Sequence, residues 1–107
     1  MVLLLYRDAG LKEPLPRDQE GRWSFMLPRN RPGGVCKDAF YILNDGNRPV
    51  EDLEIVTSNN EVRFFYESTI PPRGRLMVTA EWRAPLSVKQ YLRTLIMIRC
   101  VEVSRPP

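Results

Sequence analysis

The chain contains no histidine. That one absence removes the usual general base, the Ser-His and Cys-His nucleophile pairs, and the commonest zinc ligand. Cysteine is nearly absent too: with only Cys36 and Cys100, one chain cannot close a four-thiolate zinc site. Long apolar runs are missing. The opening run from Val2 to Tyr6 falls far short of the roughly 18 residues that a span requires. It also lacks the basic segment that precedes the apolar core of a signal peptide. The chain is therefore expected to be soluble, made in the cytoplasm and without a membrane partner. A phosphate-cradling loop is missing as well, because the glycines of "PRNRPGG" come without the lysine and hydroxyl of a P-loop. No stretch has the length and period of a substantial helix. Charge of one sign does not dominate. Residues 1–50 carry eight basic and six acidic groups, and residues 51–107 carry eight and seven. A nucleic-acid surface concentrates its cations on one face or stripe, so no nucleic-acid partner is expected.

What is present belongs to an ordinary folded domain. Hydrophobic residues make up 43% and charged residues 27%, which places the chain outside the disordered class, and 107 residues make one domain with one core. Ten prolines stand mostly between apolar runs, where they punctuate an all-β chain. Thirteen of the sixteen basic residues are arginine, which we read as compositional bias in preference to a surface built for bidentate carboxylate pairing.

Alternation and turn signals predict strands over Val2–Arg7, Val35–Leu43, Asp52–Thr57, Glu61–Glu67, Arg75–Arg83 and Thr94–Val103, with Arg22–Leu27 as a further extended piece. Arg75–Arg83 is the clearest: Leu76, Val78, Ala80 and Trp82 share one face, and Met77, Thr79, Glu81 and Arg83 the other. "NDGNRP" is read as a turn in which Gly46 takes a positive φ, and "TIPPRG" as a loop whose prolines end pairing. Leu86–Leu92 is read as a helical turn or an irregular crossing. Six or seven strands with turns about every 8–12 residues predict two antiparallel sheets packed as a β-sandwich, a small barrel being the alternative. The reach from residue 11 to 34 is read as a long irregular arm, and residues 104–107 as a frayed tail.

Few residues offer chemistry. Asp45, Glu51, Asp52 and Glu54 carry the oxygens a calcium ion prefers, but alternation along a strand favours a solvated face. No catalytic residue, metal or cofactor is assigned. Cys36 and Cys100 lie in predicted strands, so an inter-sheet bridge has been weighed; free cysteines packed as small hydrophobes are preferred for a chain maturing in a reducing compartment. For protein contact, the candidates are Arg22, Trp23, Phe25, Met26, Arg29 and Arg31, an aromatic and arginine set of the kind enriched at hot spots. Against it stands the plainer reading that Trp23 and Phe25 close one end of the core. Phe64, Phe65 and Tyr66 are consecutive, so one ring must face away from the core, and Phe65 joins the candidates.

The opening "LLLYRDAGLKEPL" and the strand in "GGVCKDAFYILNDG" resemble small tailed-phage virion proteins. "NRPVEDLEIVTS" followed by "STIPPRGRLMVTAEW" is similar to immunoglobulin-like modules on capsids, tails and cell surfaces. The resemblance covers most of the chain as a pattern of strands and turns, and transfers no functional residue. It implies an immunoglobulin-like sandwich and a non-enzymatic structural or decoration role in a virion. The partners it implies are a major capsid or tail protein and other copies of the chain. The alternatives are a cell-surface or secreted adhesion or carbohydrate-binding module, and a small enzyme or metal-dependent sugar binder using Asp45, Glu51 or Asp52.

Overall fold

A computed structural model describes residues 3–28, 34–59, 61–83 and 91–102. Seven strands follow one another: β1 (Leu3–Tyr6), β2 (Trp23–Pro28), β3 (Val35–Asn44), β4 (Val50–Thr57), β5 (Arg63–Phe65), β6 (Arg75–Arg83) and β7 (Tyr91–Glu102). They form a four-stranded sheet in the order β1-β3-β6-β5 and a three-stranded sheet in the order β2-β7-β4, antiparallel throughout. The two sheets pack as the expected β-sandwich. Its first sheet has the A-B-E-D order of an immunoglobulin domain and its second the C-F pair, with β2 where the last strand, G, would stand.

The pleat explains which residues meet. On β3, Cys36, Phe40, Ile42 and Asn44 are buried; on β6, Val78, Ala80 and Trp82. Trp23, Phe25 and Leu27 of β2 and Ile96 of β7 face them from the other sheet. Phe25 and Phe40 meet edge to face across the interior, with ring centroids 5.1 Å apart, and Phe40 meets Phe64 in the same way at 5.8 Å. Thr94 is buried and its hydroxyl is hydrogen-bonded to that of the half-buried Thr57, so the buried hydroxyl has a partner.

Two connecting segments close the sides of the sandwich. Leu15 N–H donates to Leu5 O at 2.9 Å, and Ser24 N–H donates to Pro16 O at 2.8 Å, so the chain at 14–17 passes from the edge of β1 to the edge of β2. On the far side Val50 and Ile70 exchange both backbone bonds at 2.9 Å, and Leu53 N–H donates to Ser68 O. Both straps occupy backbone groups that an open edge would leave free to pair with another chain.

Several expectations are refined. The reach 11–34 is not irregular throughout, since β2 lies in it and contributes three core side chains. Gly46 does not take a positive φ; among the described residues Gly21, Leu11, Asp52 and Arg73 do. The expected turn at Asp45-Gly46 is organised by Asn44 instead. Of Leu86–Leu92, read as a helical turn or an irregular crossing, residues 86–90 lie outside the described residues, as does the tail 104–107; Tyr91 and Leu92 belong to β7.

Candidate functional site: the open face of the four-stranded sheet

The residues singled out from the sequence do not gather. Trp23 and Phe25 are core residues, in line with the plainer of their two readings, and this removes both from the interaction set. Alternation on β2 sends both inward, and Arg17 covers the outer edge of Trp23 with its guanidinium 4.3 Å from the ring centroid. Arg22 is held by Asp18 at 2.9 Å and Glu20 at 2.8 Å, so it orders its own loop. Arg29 and Arg31 lie outside the described residues. Met26, 44% exposed, and Phe65, 53% exposed, remain as surface hydrophobes, but on opposite faces of the sandwich.

Phe65 has company that the sequence reading missed. Strand register aligns Tyr6 of β1, Tyr41 of β3 and Met77 of β6 in one cross-strand row. Ala39, Thr79 and Phe65 form the next row, and Leu4 with Leu43 flanks the first on its other side. All lie on the outward pleat, because their chain neighbours Leu5, Phe40, Ile42 and Val78 are buried. Met77 is 55% exposed, and the tyrosines are half-buried against each other's strands. A sheet face turned to water ordinarily alternates to polar residues; this one holds an apolar and aromatic patch at its centre to which all four strands contribute, with Thr79 within it and charged residues toward its ends. The signal was present in β3, where Ala39, Tyr41 and Leu43 are as apolar as the inward Phe40 and Ile42. Only pairing with β1, β6 and β5 shows that they form one continuous patch.

Other places offer less. A cleft of ≈ 380 Å³ opens between Leu3, Leu4, Arg17, Trp23 and Cys100, and its described lining holds no carboxylate. Burial pushes the Cys100 thiol above its ordinary value, which suppresses the thiolate a nucleophile needs. Cys36 and Cys100 are both free. Cys36 lies at the start of β3, while Cys100 shares its cleft with Leu3, the partner of Asn44 at the other end of that strand. Eight residues of strand, about 26 Å, separate those ends, far beyond disulfide reach. Among the described residues no three Asp, Glu or Cys side chains converge as metal ligands. Asp45 pairs with Arg73 at 3.3 Å, and Glu54 with Arg99 at 4.0 Å. Arg7 reaches inward from the end of β1, donating to Asp38 at 2.5 Å and lying 4.7 Å from the Phe25 ring centroid. It ties β1 to β3 beneath the tyrosine row. No family model, curated protein or solved structure matches the chain.

Proposed function

We propose that this domain is a non-enzymatic structural or decoration component of a phage virion, acting through protein–protein association with neighbouring virion subunits. The observation that carries the association is the patch of Tyr6, Tyr41, Leu43, Met77 and Phe65 on the outward face of the four-stranded sheet. Tyrosine, phenylalanine and methionine are the types enriched at interface centres, and a flat sheet presents them without the entropy cost of ordering a loop. The virion setting is supported by the resemblance of "LLLYRDAGLKEPL" and "STIPPRGRLMVTAEW" to tailed-phage and immunoglobulin-like capsid or tail modules.

Co-sedimentation with purified phage particles tests the reading. The wild-type chain is expected to pellet with particles, and a Phe65→Arg/Met77→Arg variant with unchanged thermal unfolding to stay in the supernatant. Pelleting of both, or of neither, would remove the proposal.

A further inference from the structure

Both outer faces of the sandwich are apolar at the centre; the tyrosine face carries an excess of cations around it, and the other face is mixed in charge but gathers its carboxylates along the β4 edge. On the tyrosine face, Lys37, Glu81 and Arg63 form one cross-strand row beyond Phe65. Arg83 lies past that row, and Arg75 at the opposite end beside Leu43. Four cations thus stand against Glu81 on that face, with Glu61 at the entry to β5. The other face, on the three-stranded sheet, presents Met26, Val56, Leu95, Met97 and Val101. Val56, Leu95, Met97 and Arg22 line a shallow, mostly apolar hollow of ≈ 160 Å³ in it. Along its β4 edge stand Glu51, Asp52 and Glu54, all exposed, against Arg93 and Arg99 on β7.

We infer that the occupant of the tyrosine face is the three-stranded face of a second copy of this chain, in a head-to-tail contact. The inference rests on the docking role proposed above for the tyrosine face and names its partner. In this contact Phe65 and Met77 of one copy lie over the hollow at Val56, Leu95 and Met97 of the next. The basic rim of the first meets the carboxylate edge of the second. Pairing the tyrosine face with itself about a two-fold axis would set cations against cations, and like charges across an interface are strongly disfavoured. A head-to-tail contact leaves one free face of each kind at the ends, so it propagates into columns or closes into rings. That is a route to the many copies a shell or tube requires.

Light scattering and sedimentation of three purified chains decide it. Wild type is expected to gain mass with concentration and lose it with added salt, because the rim contribution is screened. A Phe65→Arg/Met77→Arg chain and a Val56→Arg/Met97→Arg chain are each expected to be monomeric, and to form a discrete one-to-one pair when mixed. That outcome is unique to a head-to-tail interface. If an arginine variant fails to fold, exposed charges of the two rims serve instead. Lys37→Glu/Arg63→Glu is expected to weaken association by about tenfold, and mixing with Glu51→Lys/Glu54→Lys to restore it. A wild-type chain monomeric at every concentration overturns the inference. So does dimerisation of the Val56→Arg/Met97→Arg chain alone. A monomer that still pellets with particles through Phe65 and Met77 sinks only this inference, whereas self-association through both faces without particle binding sinks only the virion reading.

Discussion

Asn44 is 1% exposed, and every polar atom of its side chain is occupied. Its Nδ2 donates to Arg48 O at 2.8 Å and to Ile70 O and Pro71 O at 3.2 Å, while its Oδ1 accepts from Gly46 N–H at 3.0 Å. One amide therefore joins the β3–β4 turn to the strap before β6. Asn44→Ala removes the side-chain donor to Arg48 O and the second donor to Ile70 O and Pro71 O, which keep Val50 N–H and Gly74 N–H, and is expected to lower unfolding stability by about 1–3 kcal/mol, read from the urea midpoint at unchanged slope. Gly74 is demanded by space: a Cβ there would stand 2.6 Å from Pro71 Cγ, in a tight turn closed by the Gly74 N–H to Pro71 O bond. Asp8 and Asp18 order the two loops before β2. Asp8 Oδ1 accepts from Glu13 N–H at 2.8 Å and Lys12 N–H at 2.9 Å, and Asp18 Oδ1 from Arg22 and Glu20 N–H at 2.9 Å. The Glu13 backbone bond in the first, and the Arg22 backbone bond in the second, hold these carboxyls below their ordinary 3.8. Their contribution is therefore complete above the unfolded value and is lost as pH falls through the lower folded one. Below about pH 4 the stability of wild type is expected to fall more steeply than that of an Asp8→Asn/Asp18→Asn chain, measured by urea unfolding along a pH series. Cys100, with its pKa raised by burial, is expected to react with iodoacetamide more slowly at mildly alkaline pH than the same thiol in the unfolded chain.

At the scale of elements, the straps matter more than their irregular backbone implies. Ile70 is fully buried and exchanges two backbone bonds with Val50, so a residue between β5 and β6 belongs to the three-stranded sheet. The amides of Val50 and Ile70 are expected to exchange with solvent as slowly as those in the middle of β3, by hydrogen-exchange NMR; fast exchange at Ile70 would show the strap to be open. Ile70→Ala is expected to cost about 2–5 kcal/mol in the same urea assay. Much at this scale was legible in the sequence. The strands 75–83, 35–44 and 50–57 were expected nearly to the residue, because alternation and flanking Asp, Gly and Pro set their limits. The span of β5, three residues where seven were expected, was not. Glu61, Val62 and Tyr66 are spent on the turn and the strap: Val62 N–H donates to Asn59 O, and Tyr66 Oη accepts from Ile55 N–H at 2.9 Å. The first is a local turn bond; the second joins residues 11 apart and has no local sequence signal.

The whole molecule separates an inside from two unequal outsides. Its inside follows from the period of two: wherever apolar residues alternate with polar ones, the register of a buried face has a single solution. Its outsides do not, since strands such as β3 are apolar on both faces and local pattern cannot say which neighbours continue the patch. That is why Trp23 and Phe25 admitted both an interface and a core reading, while Tyr6, Tyr41 and the outward Met77 were not joined into one surface. The sequence by itself determined an all-β domain, seven extended segments and a chemistry without histidine, because composition and alternation act residue by residue. Only the tertiary structure decided which strands share a sheet, that the two cysteines stand at opposite ends, and that aromatic and apolar residues from four strands form one open patch. Those facts depend on pairings between residues dozens of positions apart, chosen by the burial of the whole core.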